Sequence, residues 1–424
     1  MRRATLLNGV ASVSVMGTGS GTAFEDLLDP RFLQPMYQPI VDVATSKVVA
    51  VEALARWPEL DVSPDVAFAR AIELGRLAEL DRACRNQAID NALAHGLPPR
   101  FGLFVNIEPS TITAAAAHDL VARTRGELQI VVEITERKIA SRPAELLTAL
   151  RELRRAQCSI ALDDVGAEPA SLGFLPLIAP SVVKLDVSLV TKWPDEDQGA
   201  ILAAVWAFAE RTGARILAEG IETERHLQQA LAFGATLGQG WYFGRAAPLG
   251  VFDEPDGALL ADCGALDSAP TPFACVEPSR IHVGTKGQLL GISHHIENQG
   301  VSLATPSILL STFQGAENFT PDTAKRYAAL SERCLMVGAL GVGLAAEPVP
   351  GVRGVRLSEN DALLGEWVVV VVGAHHVAAL IARDLGDTDP VPDHERRFEF
   401  VVTHDYDTVL NAARSLLERL SSLD

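Results

Sequence analysis

Acidic and amide side chains recur along the first 240 residues of this 424-residue chain at positions that suit metal chemistry. The set is Glu52, Asn106, Glu133, Asp163 and Asp164, followed along the chain by Lys184, Glu219 and Gln239. Carboxylate and amide oxygens are the ligands that hard cations such as Mg²⁺ and Mn²⁺ prefer. The adjacent pair Asp163-Asp164 suits a two-ion site, in which the ions hold the attacking and the leaving oxygen of a phosphate ester.

Cysteine and histidine do not offer an alternative metal site. The five cysteines are scattered and form no C-x-x-C pair, which disfavours a zinc site and a disulfide framework and predicts a reducing, cytoplasmic location: Cys84, Cys158, Cys263, Cys275 and Cys334. His294-His295 and His375-His376 are adjacent residues that do not share one face of a helix or strand. Solvated or core histidines are therefore the favoured interpretation.

The elements that must position these side chains are short apolar runs alternating with longer helical stretches, which predicts βα units and a parallel sheet. The predicted strands are Val48–Ala53, Gly102–Asn106, Gln129–Ile134, Ser159–Leu162, Val182–Leu185, Arg215–Ala218 and Thr236–Leu237. The polar residues lie in these runs or just after them, and in a (β/α)₈ barrel such positions converge on one rim. Any single acid is more simply a solvated loop residue, but the repeated register favours a common site.

Composition and charge bound the remaining possibilities. The chain is 48% hydrophobic and 21% charged, with a formal net charge of −18, which excludes a broad basic surface for DNA or RNA. A small anionic ligand stays compatible if metal ions supply positive charge. The run Trp367–Val372 is too short to span a bilayer, so no membrane is expected. Met1-Arg2-Arg3 and the apolar stretch behind it resemble a weak export signal, although a frayed or mis-started N-terminus is favoured.

The pattern divides the chain into four parts. We predict a flexible N-terminus at 1–23, a barrel at 24–252, a linker rich in turn formers and acids at 253–272, and a second domain at 273–424. The fold class is therefore α/β, a TIM-like (β/α)₈ barrel followed by a second, smaller α/β domain. That second domain is predicted to contain strands at Trp367–Val372 and Phe398–Val402 and a closing amphipathic helix at Asp407–Leu420.

An ordered series of motifs in the first domain resembles the EAL domain. It begins with Tyr37-Gln38-Pro39-Ile40 and Val51-Glu52-Ala53-Leu54-Ala55-Arg56-Trp57, and ends with Gln239-Gly240-Trp241. Between them lie Val105-Asn106, Glu133-Ile134-Thr135-Glu136, Leu162-Asp163-Asp164-Val165-Gly166, Lys184-Leu185-Asp186 and Glu219-Gly220-Ile221-Glu222-Thr223. The resemblance implies a metal-dependent phosphodiesterase that opens cyclic di-GMP to linear pGpG.

The same resemblance implies a role for each matching residue. Glu52, Asn106, Glu133 and Asp163 match ligands of one Mg²⁺ or Mn²⁺ ion, and Asp163 and Asp164 match ligands of a second. Lys184 matches a lysine that orients the nucleophilic water, Glu219 a general base or metal anchor, and Glu136 a supporting glutamate. Gln38, Arg56, Gln239 and Asp186 match positions at the substrate, where Arg56 suits a phosphate oxygen.

One loop departs from the family pattern D-D-F-G-T-G-Y-S-S-L. Here it reads Asp163-Asp164-Val165-Gly166-Ala167-Glu168-Pro169-Ala170-Ser171-Leu172. The resemblance implies that this loop shapes the second metal site and a dimer contact. The preferred metal, the rate of catalysis and the formation of a homodimer therefore do not follow from the resemblance and stay hypotheses. A catalytically silent cyclic di-GMP receptor is the runner-up function, and a lysine aldolase using Lys184 as a Schiff base is a third.

The second domain carries a different resemblance. Gly287-Gln288-Leu289-Leu290-Gly291-Ile292-Ser293-His294-His295-Ile296-Glu297 and, further on, Thr312-Phe313-Gln314 resemble the DICT domain, a sensory module found beside cyclic di-GMP enzymes. This resemblance implies that the second domain regulates the barrel. All of the proposed chemical groups precede the linker, so the second domain is not expected to complete the active site.

Overall fold

The computed structural model describes residues 23–98, 100–108, 111, 114–124, 128–135, 142–167, 169–253, 259–260, 266, 268–302, 306–386 and 391–420. The predicted catalytic residue Glu136 and the loop residue Glu168 lie outside these ranges. Among the described helices, none is both long and apolar enough to cross a membrane.

The first part of the chain forms a closed barrel of eight strands, which confirms the predicted fold class. The strands are β1 (Gln34–Asp42), β2 (Lys47–Arg56), β3 (Gly102–Asn106), β4 (Gln129–Thr135), β5 (Ser159–Val165), β6 (Val182–Leu185), β7 (Arg215–Ala218) and β8 (Leu237–Gln239). Strands β2 to β8 pair in parallel, whereas β1 is antiparallel to both β2 and β8. The seven predicted strands do not include β1, in which Pro35 and Pro39 remove backbone donors that a strand normally uses.

Helices cover the outside of the barrel. They are α1 (Phe24–Leu28), α2 (Pro64–Glu73), α3 (Leu77–Ala94), α4 (Ala114–Thr124), α5 (Pro143–Arg155), α6 (Leu175–Ile178), α7 (Val187–Thr191), α8 (Glu196–Thr212) and α9 (Glu224–Ala232). Helix α5 shows why such segments are helical, because Pro143 occupies its first turn and Arg154 and Arg155 its last. Its buried Leu146, Leu150 and other leucines recur at helical spacing and form one apolar face toward the barrel.

The interior of the barrel at the amino ends of its parallel strands is filled by apolar side chains. Phe104, Val131 and their neighbours on other strands form this cluster, together with Leu259 and Leu260 from the predicted linker. The carbonyl oxygen of Leu259 accepts a hydrogen bond from Arg215 at 3.4 Å. This part of the predicted linker therefore packs into one end of the barrel, while the opposite end keeps its polar side chains.

The second part of the chain forms a seven-stranded mixed sheet. Its strands are β9 (His282–Thr285), β10 (Ile308–Gly315), β11 (Met336–Val342), β12 (Val352–Arg356), β13 (Glu366–Val372), β14 (Val377–Asp384) and β15 (Arg397–Thr403), in the order β12-β11-β10-β13-β14-β15-β9. Strands β10, β11 and β12 are parallel, and the other pairs are antiparallel. The three helices described here are α10 (Lys286–Ser302), α11 (Pro321–Ser331) and α12 (Tyr406–Leu417), the last of which confirms the predicted closing helix.

The two sides of this sheet pack against different parts of the chain. Val369 and Val371 of β13 pack with Leu289 of α10 and Tyr327 of α11. Alternate residues such as Val368 and others on β13 belong instead to a core that contains α12 and continues into the barrel helices. Strand alternation of this kind sends neighbouring side chains to opposite faces. The α12 face therefore joins the sheet to the barrel, and the α10–α11 face points away from it.

Candidate active site

Strand register brings the predicted polar residues to one end of the barrel. Asn106 at the end of β3 is paired with Glu133 of β4. On the other side, Glu52 of β2 lies opposite Gln38 of β1, and Gln239 ends β8. Because β2 to β8 are parallel, the ends of these strands meet on the same rim. The residues are thus neighbours in space although almost 190 positions separate Glu52 from Gln239 along the chain.

Lys184 lies at the centre of the acidic side chains. Its Nζ atom is 2.7 Å from Glu133 Oε1, 2.7 Å from Glu219 Oε1, 2.9 Å from Asp163 Oδ1 and 3.8 Å from Glu52 Oε2. Only 1% of the lysine side chain is exposed. The ammonium group therefore contacts carboxylates from four different segments of the barrel at once.

Glu52 is fixed by two amides as well as by Lys184. Asn106 Nδ2 donates to Glu52 Oε1 at 3.0 Å, and Gln239 Nε2 donates to Glu52 Oε2 at 2.6 Å. Gln239 Nε2 also lies 3.3 Å from Gln38 Oε1. Hydrogen bonds to an ionised carboxylate are stronger than neutral ones, so this network orients Glu52 firmly. It connects the first two strands of the barrel to the last one.

Burial and charge act against each other in this cluster. Burial alone would lower the pKa of Lys184, but the surrounding carboxylates outweigh it and raise that pKa well above its ordinary value. Burial raises the pKa of Glu219 to about 8 despite the attraction of Lys184. Burial would raise the pKa of Glu52, but the charge of Lys184 and the amide hydrogen bonds outweigh burial, so this pKa lies below its ordinary value. A permanently protonated Lys184 is a poor Schiff-base nucleophile, which argues against the aldolase hypothesis.

The donor set fits divalent cations. Asp163, Asp164 and Glu219 each offer a carboxylate oxygen, and the three oxygens lie within 4.8 Å of one another. Glu133, 1% exposed, has a second oxygen that accepts no hydrogen bond from the described residues, and burial raises its pKa well above the ordinary value. Five carboxylates share this space with a single ammonium group. An arrangement of buried oxygen donors with excess negative charge is what Mg²⁺ or Mn²⁺ requires.

Backbone geometry at the site is unusual at two points. Asp164 has a φ angle of +57°, a left-handed conformation that is uncommon for a residue other than glycine. Gly240 has a φ angle of +154°, and a Cβ atom there would lie 2.2 Å from the carbonyl oxygen of Ile221. The absence of a side chain lets the chain after Gln239 approach the loop after β7, where Ile221 N donates to Gln239 O at 3.0 Å.

Two predicted site residues among those that the structure describes, Arg56 and Asp186, are not part of the cluster. Arg56 lies at the end of β2, where its NH1 group donates to the carbonyl oxygen of Ala55 at 2.8 Å. Asp186 caps α7 by accepting a hydrogen bond from Ser188 N at 2.9 Å. Glu136 lies outside the described residues. Val165, the first altered residue of the loop that departs from the family pattern, is fully buried in the core around the barrel. Its replacement of Phe therefore changes the packing of the core and does not remove a proposed metal ligand.

A buried ion pair that the sequence analysis missed lies beneath the loop after β3. Arg85 NH1 contacts Asp81 Oδ2 at 2.8 Å, and both side chains are almost fully buried. Asp81 also accepts hydrogen bonds from Glu108 N at 3.0 Å and Thr111 Oγ1 at 2.9 Å. The pair therefore anchors the loop that follows Asn106. Its only sequence signal is an Asp and an Arg four positions apart, a spacing that also occurs on solvated helix faces.

Comparison with protein families agrees with this geometry. The profile of the EAL domain matches residues 23–246, more than half of the chain. The chain belongs to the EAL domain family. A second profile, described as the sensory domain in diguanylate cyclases and two-component systems (DICT), matches residues 274–385. The predicted resemblances of both parts are therefore confirmed.

Individual relatives cover the EAL region of this protein. An uncharacterized protein of Azorhizobium caulinodans is 32% identical over 248 residues, 53% of this chain and 33% of its own length. The cyclic di-GMP phosphodiesterase RocR of Pseudomonas aeruginosa is 29% identical over 232 residues, 52% of this chain and 59% of RocR. A structure of Klebsiella pneumoniae BlrP1, a calcium and cyclic di-GMP complex, is 28% identical, covers 52% of this chain and 57% of BlrP1, and has a TM-score of 0.47. The chain thus spans less than two thirds of each of these relatives.

Proposed function

We propose that this EAL protein is a cyclic di-GMP phosphodiesterase that hydrolyses its substrate to linear pGpG with two Mg²⁺ or Mn²⁺ ions. The observation that carries the proposal is the cluster around Lys184, in which one buried ammonium group faces several carboxylates at the open end of an EAL barrel. The similarity to RocR, a protein named as a cyclic di-GMP phosphodiesterase, supports the choice of substrate.

The metal-holding residues follow from the donor set. Glu52, Asn106, Glu133 and Asp163 would hold one ion, and Asp163 with Asp164 would hold the second, with Glu219 close enough to assist. A bound divalent cation supplies positive charge to phosphoryl oxygens and makes a nearby water more acidic. The unusual backbone angle of Asp164 supports this assignment, because strained residues concentrate at functional sites.

Lys184 acts as an electrostatic clamp. Its raised pKa keeps the side chain charged at every physiological pH, so the ammonium group can donate hydrogen bonds to a water and to a phosphoryl oxygen. The carboxylates of Glu133, Asp163 and Glu219 fix its position before substrate arrives. A charge that is already oriented needs no rearrangement when negative charge develops on the phosphoryl group.

Glu219 acts as the general base. It follows β7 directly, retains partial exposure at the rim and contacts Lys184, which orients it. With a pKa of about 8 in the metal-free protein, its carboxylate is basic enough to accept a proton from water near neutral pH. Glu136 stays a predicted supporting residue.

Substrate contacts are proposed for the polar residues around this centre. Gln38 and Gln239, which contact each other, lie beside Glu52 and present amide groups to a bound nucleotide. Arg56, four residues beyond Glu52 on β2, is proposed to bind a phosphate oxygen, and Asp186 to lie near the substrate while capping α7. The domain limits 24–252, 253–272 and 273–424, a homodimer and a cytoplasmic location stay predictions.

Regulation by the second domain is supported by its contact with the segment that follows the Asp pair. After β5, the chain forms a short 3₁₀ helix at Pro169–Phe174 and then α6. Arg414 of α12 donates to the carbonyl oxygens of Pro176 at 3.3 Å and Leu177 at 3.2 Å, at the end of α6. A Cβ atom on Gly173 would come within 3.0 Å of Pro306 O, just before β10. A movement of the second domain would therefore displace the segment that follows Asp163 and Asp164.

The test of the enzyme is the conversion of cyclic di-GMP to pGpG by purified protein with Mg²⁺ or Mn²⁺, followed by chromatography. Glu52→Ala protein serves as the inactive control, because this change removes a proposed metal ligand. We expect turnover that EDTA abolishes. Tight binding of cyclic di-GMP without turnover under either metal would contradict the enzyme hypothesis and favour the receptor hypothesis.

A further inference from the structure

The DICT domain contains a cavity of about 470 Å³ that no part of the proposed catalysis uses. It lies on the sheet face that points away from the barrel, between α10, α11 and the carboxyl end of β10. Cavities of 300–1,000 Å³ are typical of small-molecule sites. Both segments that carry the DICT resemblance, Gly287–Glu297 and Thr312–Gln314, contribute to its wall.

A break in the sheet opens this cavity. Pairing between β10 and β13 ends at Ser311 and Val369. At the next position, the hydroxyl group of Thr312 accepts from Val368 N and donates to Glu366 O, both at 2.8 Å, so a side chain replaces the backbone ladder. Pairing with β11 is also irregular after Thr312, and Gln314 has a φ angle of +59°. The strand end is thereby held apart from its neighbours by specific contacts, which is how a preformed site is built.

Polar groups at the buried end of the cavity form a connected set. Glu297 is 2% exposed and accepts a hydrogen bond from Arg326 Nε at 2.7 Å. Tyr327 Oη lies 3.1 Å from Glu297 Oε1 and 2.6 Å from Ser311 Oγ. Because a phenol has one proton, Tyr327 donates to the carboxylate and accepts from the serine. Each oxygen of Glu297 keeps a free lone pair, since a carboxylate accepts about four hydrogen bonds.

Ser293 adds a second acceptor and donor on the same side. It lies one helical turn before Glu297 on α10, borders the cavity and is 3% exposed. Ser293 and Glu297 therefore both lie on the wall of the cavity that α10 forms. A ligand that reaches Glu297 would therefore also meet Ser293.

The charges around the cavity favour a cation over an anion. Lys286 is paired with Asp393 at 2.6 Å, and Arg326 is paired with Glu297. The carboxylates of Glu317 and Asp322 also border the cavity and have no cationic partner among the described residues. An anionic ligand would meet these acids without a free lysine or arginine to offset them.

Aromatic side chains define the shape of the ligand. Phe313 and Tyr327 pack edge to face at 5.3 Å, as do Trp367 and Phe398 at 5.7 Å, and all four border the cavity. Aromatic walls favour flat rings, and their faces also attract ammonium groups.

We propose that this cavity binds a small aromatic amine, with its ring between the aromatic side chains and its ammonium group at Glu297 and Ser293. The probe is tryptamine, measured by isothermal titration calorimetry on the full-length protein. Indole-3-acetate has the same indole ring with a negative charge and serves as the matched ligand. We expect saturable binding of tryptamine at one site and binding of indole-3-acetate that is at least about tenfold weaker.

Variants separate this site from non-specific binding. Glu297→Gln removes the charge and should weaken tryptamine binding by about tenfold or more, whereas Glu359→Gln, the same change at an exposed residue outside the cavity, should leave it unaltered. Ser293→Ala preserves the Glu297–Arg326 pair and should weaken binding by about two- to tenfold, so the test does not depend on Glu297→Gln folding.

Three results would overturn the proposal. These are equal or tighter binding of indole-3-acetate, tryptamine binding that is unchanged in both folded cavity variants, and no saturable binding of either compound at millimolar concentration. The readout is binding rather than turnover, so the outcome is independent of whether the barrel is an active phosphodiesterase.

Discussion

The Nζ atom of Lys184 lies 2.7 Å from Oε1 of Glu219 and joins the end of β6 to the residue that follows β7. The contact has opposite effects on the two groups. Glu219 helps to keep Lys184 charged. Lys184 in turn lowers the pKa of Glu219, but burial outweighs this attraction and the resulting pKa is about 8. The proposed base and the proposed clamp are therefore coupled through one ion pair.

Removal of the clamp should change both the rate and its pH dependence. Lys184→Met deletes a preorganised charge, and we expect kcat to fall by about 10²–10³-fold. Because the attraction that lowers the pKa of Glu219 is lost, the base must deprotonate at higher pH, and the acidic limb of the kcat profile should move upward. The measurement is kcat for cyclic di-GMP hydrolysis as a function of pH, with the exposed Lys192→Met as control. If the acidic limb of the profile does not move, Glu219 is not the general base.

Metal binding should release protons. In the metal-free protein, Glu219 has a pKa of about 8 and is therefore largely protonated at pH 7, and burial also raises the pKa of Glu133 well above its ordinary value. Ligation requires ionised carboxylates, and the affinity for Mn²⁺ should therefore rise with pH up to about 8, by about tenfold per unit for each proton released. Calorimetry in two buffers of different ionisation enthalpy counts these protons. Glu219→Gln should reduce the count, and a pH-independent affinity would contradict the assignment.

A metal ligand and a substrate contact should differ in their kinetic effects. Glu52→Ala removes a carboxylate held by Asn106 and Gln239, and turnover should be lost even at saturating substrate. Arg56→Ala should mainly raise KM, by about 10–100-fold, because a contact made equally in ground and transition states leaves kcat largely intact. Steady-state kinetics of both variants check this. Near-normal kcat in Glu52→Ala would show that the metal assignment is wrong.

The contact between the domains should matter for both stability and turnover. Arg414→Met removes the hydrogen bonds to Pro176 O and Leu177 O, and the free energy of unfolding should fall by about 1–3 kcal/mol. The segment behind Asp163 and Asp164 loses this support, so kcat should also fall, with KM little changed. Arg419→Met is the matched control, since Arg419 contacts Asp361 and Pro270 rather than the barrel. Urea unfolding and kinetics measure the two effects, and equal kcat in both variants would exclude this route of regulation.

The barrel and most of its polar rim could be predicted from the sequence because strand ends and motif residues are local features. Glu52, Asn106, Glu133, Asp163 and Lys184 each end or lie in a buried apolar run, and parallel pairing sends such ends to one rim. Strand β1 could not be predicted in this way, since its two prolines obscure the strand pattern. The predicted linker likewise hid Leu259 and Leu260, because two leucines in an acidic, turn-rich segment carry no periodic signal.

The sequence by itself determined the residue types of the site, the family to which the chain belongs and the order of its two domains, because these properties are written in motifs along the chain. Only the tertiary structure decided that Lys184 sits among carboxylates from β2, β4, β5 and the end of β7, and that burial raises the pKa values of Glu133 and Glu219. It also decided that Glu297 and Tyr327 meet at a cavity. Distances and burial depend on how distant segments pack, and that packing is a property of the whole fold rather than of any local run of residues.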